Sequence, residues 1–158
     1  MWKRGDGTSI GPFSTFDCPD WCNVVALTDA LELVLVWQHR FGTEALSLEL
    51  PGGVIDEGES PEQAARRELR EETRYGARTF GPLFRVHPNP ALQGNVCHSF
   101  LAEGAHAAGA TEFDEHEECE LVLVPLSRAR ELLAGGYVTH SLSVVAIQAL
   151  LLREEATP

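Results

Sequence analysis

Residues 53–76 read GVIDEGESPEQAARRELREETRYG, and this stretch carries the clearest structural signals in the chain. Ser60 can cap a helix through its hydroxyl, and Pro61 suits the first helical position. The glutamine three residues after Ser60 can return a hydrogen bond to the Ser60 backbone, which completes a capping box. A helix is therefore predicted from this box to about Arg74, with its end near Gly76.

This helix would carry three glutamates on one side. Glu68, Glu71 and Glu72 stand at positions i, i+3 and i+4, so their side chains project from one helical face. The like charges of Glu68 and Glu72 oppose helix formation. A hard cation such as Mg²⁺ or Mn²⁺ would reverse that effect, because it takes carboxylate oxygens as ligands. A solvated face is the alternative, since arginines at 66, 67, 70 and 74 can pair with the glutamates.

The segment before the helix favours the cation. Residues 46–50 alternate between apolar and polar side chains, which predicts a strand. The Pro-Gly-Gly sequence at 51–53 predicts a turn with exposed backbone carbonyls, and the acidic loop 56–59 follows. A strand, a loop and a helix that bring glutamates and carbonyls together are typical of a cation site.

Further short runs of apolar and β-branched residues predict the rest of a sheet. Two of them, 24–27 and 33–37, lie close enough in sequence to form a hairpin. The other strand candidates are residues 79–86, 96–102 and 120–124. Residues 1–20 have no sustained period, so we predict an N-terminal arm of loop or edge structure ahead of one domain at 21–158.

Two more helices are predicted in the C-terminal part. The first covers roughly 127–134, with the glycines at 135–136 as its terminator. The second covers about 141–153, and four of its apolar residues share one face: Leu142, Val145, Ala149 and Leu152. Strands mixed with a few helices, one of them in mid-chain, predict an α/β sandwich.

Composition and charge narrow the class of partner. The chain has 158 residues, 44% of them hydrophobic and 23% charged, as in an ordinary globular domain. Twelve basic against 24 acidic residues give a net charge of −12, which disfavours nucleic acid and anionic membranes as partners. A phosphorylated ligand would need bridging cations. Because no signal-peptide core or membrane span is visible, we expect a cytoplasmic protein.

The four cysteines allow two interpretations. Cys18, Cys22 and the Cys97-His98 pair could in principle be assembled into a zinc site. Their spacing lacks a Cys-x-x-Cys element, so reduced and mostly buried thiols are favoured.

The stretch 53–76 resembles the signature of the Nudix hydrolases. That signature is Gly, five residues, Glu, seven residues, then Arg-Glu, an aliphatic residue, any residue, Glu-Glu, any residue, Gly and an aliphatic residue. Gly53, Glu59 and the Arg67–Glu72 segment match it with the correct spacing. The closing pair departs from it, because Arg74 and Tyr75 stand where glycine and an aliphatic residue are expected. The resemblance implies an α/β/α sandwich with a mixed β-sheet and a catalytic loop-helix.

Outside the signature, the chain is similar over roughly residues 18–152 to the ADP-ribose and nucleotide-sugar pyrophosphatase branch. The segments that carry this similarity are Gln38-His39-Arg40, Leu48–Gly53, Asn89-Pro90-Ala91, Asp114–Glu117 and Pro125–Leu150. The resemblance implies that Arg40, Glu49 and Pro90 lie on the substrate side.

The same resemblance implies roles for the carboxylates. Glu68 and Glu72 would be the first ligands of Mg²⁺ or Mn²⁺, with assistance from Glu71, the Gly52 carbonyl and Glu117. Arg67 would hold the glutamates in register, and Glu59 would close the loop onto the helix. Glu117 is our first choice for the general base and Glu115 the second, against the alternative of a solvated acidic loop.

These roles imply a pyrophosphatase. We expect metal-dependent hydrolysis of a nucleoside diphosphate linked to another group, with ADP-ribose or another ADP-sugar first. The alternatives are a nucleoside triphosphate or dinucleoside polyphosphate as substrate, or a nucleotide-binding sensor without activity. The resemblance also implies a homodimer. The sequence leaves open the exact substrate and the number of metal ions.

Overall fold

A mixed β-sheet with helices on both faces forms the framework of the protein. The computed structural model describes residues 2–109 and 119–156. The strands are β1 (Trp2–Lys3), β2 (Ser9–Ile10), β3 (Trp21–Thr28), β4 (Glu32–Arg40), β5 (Ala45–Glu49), β6 (Gly52–Val54), β7 (Tyr75–Gly76), β8 (Thr79–Val86), β9 (Cys97–Ala107) and β10 (Glu120–Pro125). The helices are α1 (Pro61–Thr73), α2 (Ala129–Ala134) after a 3₁₀ turn at Leu126–Arg128, and α3 (Ser141–Glu155).

The main sheet runs in the order β10-β4-β3-β9-β7, with β5 on β4, β6 on β3 and β8 on β9. β3 pairs in parallel with β9 and antiparallel with β4, where Ala26 lies opposite Val34. The mixed sheet and the hairpin are therefore confirmed. β1 and β2 form a separate two-stranded ribbon within the N-terminal arm.

Two apolar cores lie on opposite faces of the sheet, because successive side chains of a strand point to opposite sides. In β3, Val25 and Leu27 pack with the residues of α2 and α3. Val24 and Ala26 pack on the other side with Ala64, Ala65 and Leu69 of α1. The α/β/α sandwich is confirmed, and it fixes α1 firmly against one face. No helix in the described residues is long and apolar enough to span a membrane.

The start of α1 follows the sequence prediction closely. The Ser60 side chain accepts a hydrogen bond from the Gln63 backbone N–H at 3.3 Å, and the Gln63 side chain accepts one from the Ser60 N–H at 2.9 Å. The end differs slightly from the expectation of a stop near Gly76. The last helical residue is Thr73, and Arg74 takes a left-handed conformation with φ of 61°. Gly76 belongs to strand β7 instead.

The prediction of a turn at 51–53 is wrong for its two glycines, which lie in a strand. Gly52 and Gly53 belong to strand β6 and pair with Asn23 and Cys22 of β3. An added Cβ on Gly52 would lie 2.8 Å from the Asn23 Cα, so the two backbones approach more closely than a larger residue allows. Glycine therefore serves close packing here and not a turn.

The apolar face predicted for α3 is not the face that the helix buries. Its buried residues are Ser143, Ala146, Ile147, Leu150 and Leu151. Val145 and Leu152, from the predicted set, are exposed. Apolar side chains surround most of this helix, so their spacing does not select one face.

Candidate active site

The glutamates of α1 form the centre of the site. Glu68 and Glu72 are only 8% and 6% exposed, although both carry ionisable carboxyl groups. Glu71 lies on the outer side of the same turn, with its side chain about half exposed. Two buried carboxylates one turn apart repel each other in a region of reduced dielectric, so they require compensation by positive charge or hydrogen bonds.

Strand β6 supplies part of that compensation. The Gly52 N–H donates a hydrogen bond of 2.9 Å to Glu72 Oε2. Glu68 packs directly over Gly53. A Cβ atom added to Gly53 would overlap the carboxylate group of Glu68. The resemblance implied that the Gly52 carbonyl is a metal ligand, and this role remains a prediction. In the structure, the Gly52 N–H is the group that bonds a glutamate of α1.

Arg67 binds the loop and the helix together. Its guanidinium donates to both carboxylate oxygens of Glu59 at 3.2 and 3.0 Å and to the Val54 carbonyl at 3.0 Å. It also donates to Glu68 at 2.7 Å and to Glu71 at 3.1 Å. The hydrogen bonds to Glu59 raise the pKa of Arg67, and the pKa of Glu59 is lowered by the same contact. One cation therefore partly neutralises the acidic cluster and fixes Glu68.

A second ionic cluster lies at the end of β4 and β5. Arg40 donates two hydrogen bonds to Glu49, Nε to Oε1 at 2.8 Å and Nη2 to Oε2 at 2.7 Å. His140 Nδ1 lies 2.7 Å from the same Oε2. Glu49 is 1% exposed, and its burial favours the neutral acid. The hydrogen bonds from Arg40 and His140 outweigh burial and hold the pKa of Glu49 well below its ordinary value.

An open cleft of about 1090 Å³ adjoins this cluster. Its wall is mixed: Phe41, Ala45 and Leu46 contribute apolar surface, and polar side chains are contributed by residues that include Gln38, Arg40, Ser47, Glu49, Thr139, His140 and Ser141. The hydrogen bond to Glu49 raises the pKa of Arg40, and the negative charge of Glu72 adds to this effect. The charge of Glu72 therefore acts on Arg40 at the wall of the cleft, although Glu72 does not itself line the cleft.

The α1 carboxylates fit a hard divalent cation. Within residues 2–109 and 119–156, no three His, Cys, Asp or Glu side chains are grouped as a complete metal site. Mg²⁺, however, is commonly held by one or two carboxylates while water and substrate phosphates fill the remaining positions. The buried pair Glu68 and Glu72, with oxygen ligands only, supplies that partial shell. Glu71 lies on the same turn of α1, where it pairs with Arg67.

The remaining predicted site residues are Pro90, Glu115 and Glu117. Pro90 is exposed in the connection between β8 and β9 and does not line the Arg40 cleft. Glu115 and Glu117 fall outside the described residues. Their assignments remain predictions.

The cysteines do not form the alternative zinc site. None of the four forms a disulfide in the part of the chain that the structure describes, and Cys18, Cys22, Cys97 and His98 are not grouped as metal ligands. Burial raises the pKa of Cys22 and of Cys97 to about 12. Both thiols are therefore protonated at neutral pH.

Sequence reasoning missed His140 and Ser143. Ser143 Oγ accepts a hydrogen bond from the Leu50 N–H at 3.0 Å and lies 3.0 Å from His140 Nδ1, so it ties α3 to the end of β5. The only available signal was the position of His140 immediately before the predicted helix at 141. A single histidine at such a place does not indicate which distant carboxylate it meets.

The comparisons with known proteins find relatives over most of the chain. Residues 22–141 match the family model described as NUDIX domain. The ADP-ribose pyrophosphatase of Bacillus subtilis (strain 168) is 35% identical over 132 residues, which cover 83% of this chain and 71% of that protein. The CMP-5'-(N-acetyl-N-hydroxy-3-aminopropyl)phosphonate hydrolase of Streptomyces rubellomurinus is 33% identical over 129 residues, which cover 81% of this chain and 62% of that protein.

The fold has a close counterpart among solved structures. The crystal structure of an ADP compounds hydrolase matches with a TM-score of 0.77 and 27% identity, covering 88% of this chain and 75% of the other. The sequence match extends over the signature helix, the strand before it and both partners of the Arg40–Glu49 pair. With most of its length matched in this way, the chain belongs to the Nudix hydrolase family.

Proposed function

We propose that the protein hydrolyses the pyrophosphate bond of a nucleoside diphosphate linked to a second group, with Mg²⁺ as cofactor. ADP-ribose or another ADP-sugar is the first candidate substrate, and the products would be AMP and a sugar phosphate. The observation that carries the proposal is the buried pair Glu68 and Glu72, with the charge of Glu72 acting on Arg40 at the wall of an open cleft. The names of the relatives support the same class of substrate.

Glu68 and Glu72 would hold the cation, with Glu71 and the Gly52 carbonyl as further ligands. When bound, Mg²⁺ neutralises phosphate charge and lowers the pKa of an attacking water. The protein has a net charge of −12, so an anionic substrate gains from that neutralisation. The Gly52 N–H keeps Glu72 oriented, and Arg67 keeps Glu68 and Glu59 in place.

Glu117 is the proposed general base, with Glu115 as second choice. A base must reach the water that attacks phosphorus, directly or through one further water. Cys119, two residues after Glu117, lines the cleft beside Arg40. Glutamine variants at the two positions would separate the candidates. Substitution of the true base should lower kcat and leave KM nearly unchanged.

Arg40, with Glu49 behind it, is proposed to meet the substrate in the cleft. Arg40 uses Nε and Nη2 on Glu49, which fixes the plane of the guanidinium at the wall of the cleft. A fixed guanidinium suits a phosphate or a sugar hydroxyl. Pro90 is the third predicted substrate contact and would be tested by Pro90→Ala.

A panel of substrates tests the activity. We expect release of AMP from ADP-ribose or ADP-glucose with Mg²⁺, and none when a chelator is added. Nucleoside triphosphates and dinucleoside polyphosphates belong in the same panel, because faster turnover of either would replace the proposed substrate class. Complete inactivity on every pyrophosphate would contradict the proposed reaction.

The variant Glu72→Gln tests the assigned site. The amide keeps an oxygen for the Gly52 N–H but removes the charge, so folding should be retained. Turnover should fall by about 100-fold or more, the scale of losing one electrostatic contact in a transition state. Glu62→Gln is the matched control, since Glu62 lies on the same helix with its side chain about half exposed and pairs with Arg66. Nucleotide binding without turnover in the wild type would indicate a sensor.

A further inference from the structure

Glu49 holds two side chains of the cleft at once. The buried carboxylate accepts two hydrogen bonds from Arg40 and lies 2.7 Å from His140 Nδ1. Arg40 reaches it from β4, and His140 reaches it from the residue before α3. Both partners retain some exposure, with 33% and 26% of their side-chain surfaces accessible. One buried anion therefore sets the position of two donors at the surface of the cleft.

The chemistry of Glu49 fixes the tautomer of His140. An ionised carboxylate only accepts hydrogen bonds, so Nδ1 must carry the proton in this contact. The other ring nitrogen, Nε2, then accepts in the neutral ring and donates in the cation. Among the described residues, none bonds Nε2. Nε2 is thus the polar atom that His140 has available for a ligand.

The surroundings of His140 favour a ligand rich in hydroxyl groups. Thr139 and Ser141 flank it on the wall of the cleft, and Gln38 and Ser47 lie on the same wall. Hydroxyl groups can satisfy such donors and acceptors together, whereas an apolar ring would leave them unpaired.

We propose that His140 is a specificity-determining residue, which binds the sugar phosphate half of the substrate through Nε2 while Glu49 holds its ring. Glu49 acts through His140 and Arg40 and is a positioning residue. This proposal rests on the proposed function, since the cleft would receive the part of the substrate beyond the pyrophosphate. It assigns to the residue just before α3 a direct part in substrate selection.

Two matched substitutions separate the nitrogens of the ring. The amide of His140→Asn lies near the place of Nδ1, so it can still donate to Glu49 and leaves nothing at Nε2. The amide of His140→Gln reaches the place of Nε2 and gives up the contact with Glu49. His106→Asn is the control, because His106 bonds the Gly104 carbonyl and does not line the cleft.

Calorimetry with ribose 5-phosphate and with AMP, in the presence of Mg²⁺, gives a measurement independent of turnover. For His140→Asn we expect ribose 5-phosphate binding to weaken about 3- to 10-fold, the effect of one lost hydrogen bond, with AMP binding unchanged. The KM for ADP-ribose should rise by the same factor and kcat should change little. His140→Gln should recover part of the binding but unfold at a lower temperature.

Wild-type affinity for ribose 5-phosphate in His140→Asn would overturn the proposal, and so would weakened binding of AMP alone. A wild type that does not bind ribose 5-phosphate would overturn it as well. The two proposals fail separately. Binding of ribose 5-phosphate through His140 without turnover of any substrate would remove the proposed function only, whereas full turnover by His140→Asn with an unchanged KM would remove the role of His140 only.

Discussion

At the scale of single residues, the close contact between Gly53 and Glu68 links strand β6 to the carboxylates of α1. A methyl group on Gly53 would overlap the Glu68 carboxylate, and the backbone cannot retreat because it pairs with Cys22 in the sheet. Gly53→Ala should therefore displace Glu68 and reduce kcat/KM by about 10- to 100-fold, as other losses of ligand orientation do. Overpacking should also lower the free energy of unfolding by about 1–3 kcal/mol.

Gly81→Ala is the control for this substitution. Gly81 also lies in a strand, and no atom stands within 4 Å of the place of its Cβ. Kinetics and urea unfolding should be measured for both variants. A loss of activity in Gly53→Ala but not in Gly81→Ala would come from the contact with Glu68 and not from replacing a strand glycine in general. Wild-type turnover in Gly53→Ala would show that Glu68 need not occupy its observed place.

Glu49 predicts how stability responds to acid. Its pKa in the folded protein lies below the ordinary value of about 4.3, because the bonds from Arg40 and His140 outweigh burial. At a pH above the pKa of the unfolded chain, the ionised Glu49 therefore stabilises the fold. This contribution to the free energy of unfolding is lost as the pH falls from the unfolded pKa toward the lower pKa of the folded protein. Glu49→Gln has no such group, so its free energy of unfolding should depend less on pH over the acid range.

Urea unfolding at a series of pH values measures this difference. Glu62→Gln provides the control with the same change of charge, since the Glu62 side chain is about half exposed and pairs with Arg66 along the helix surface. Its pH dependence should match the wild type. Equal slopes for Glu49→Gln and the wild type would contradict the stabilising role of the buried carboxylate.

At the scale of elements, the end of α1 carries a residue that the local backbone disfavours. Arg74 has φ of 61° at the position where the Nudix pattern has glycine. A left-handed conformation costs an ordinary residue roughly 1–2 kcal/mol, and glycine avoids this cost. Arg74→Gly should thus raise the free energy of unfolding relative to Arg74→Ala by about 1 kcal/mol.

The comparison with alanine removes the contribution of the arginine side chain from this measurement. Both variants lack the guanidinium, and they differ only in the Cβ atom. Urea unfolding gives the two free energies directly. An alanine variant as stable as the glycine variant would show that the backbone at 74 relaxes at no cost.

Some elements were predictable from the sequence and others were not, for physical reasons that differ. The start of α1 depends on contacts between Ser60 and Gln63, which are local, so the sequence indicates it directly. β6 depends on pairing with β3, and two consecutive glycines gave a turn signal instead. The buried face of α3 is set by the sheet beneath it, because apolar residues occur almost all around that helix.

At the scale of the whole molecule, the two sides of the site have different origins. The glutamates of α1 are neighbours in sequence, so their shared face followed from helical spacing. The Arg40–Glu49–His140 cluster joins β4, β5 and the start of α3, which meet only because two cores hold the sheet between helices. The resemblance supplied Arg40 and Glu49, whereas the contact with His140 required the tertiary structure.

Assembly is the last property to be argued at this scale. A net charge of −12 opposes self-association, so a homodimer would need an apolar interface. The N-terminal arm offers one, since Trp2, Phe13 and Phe16 are 59, 63 and 65% exposed. We therefore predict a dimer in sedimentation velocity, and the double variant Phe13→Ser/Phe16→Ser should raise its dissociation constant about tenfold or more. Phe41→Ser is the control, because Phe41 is exposed at the cleft and not in the arm. Monomeric wild type at every protein concentration would contradict the prediction, and an equal loss of dimer in both variants would place the interface elsewhere.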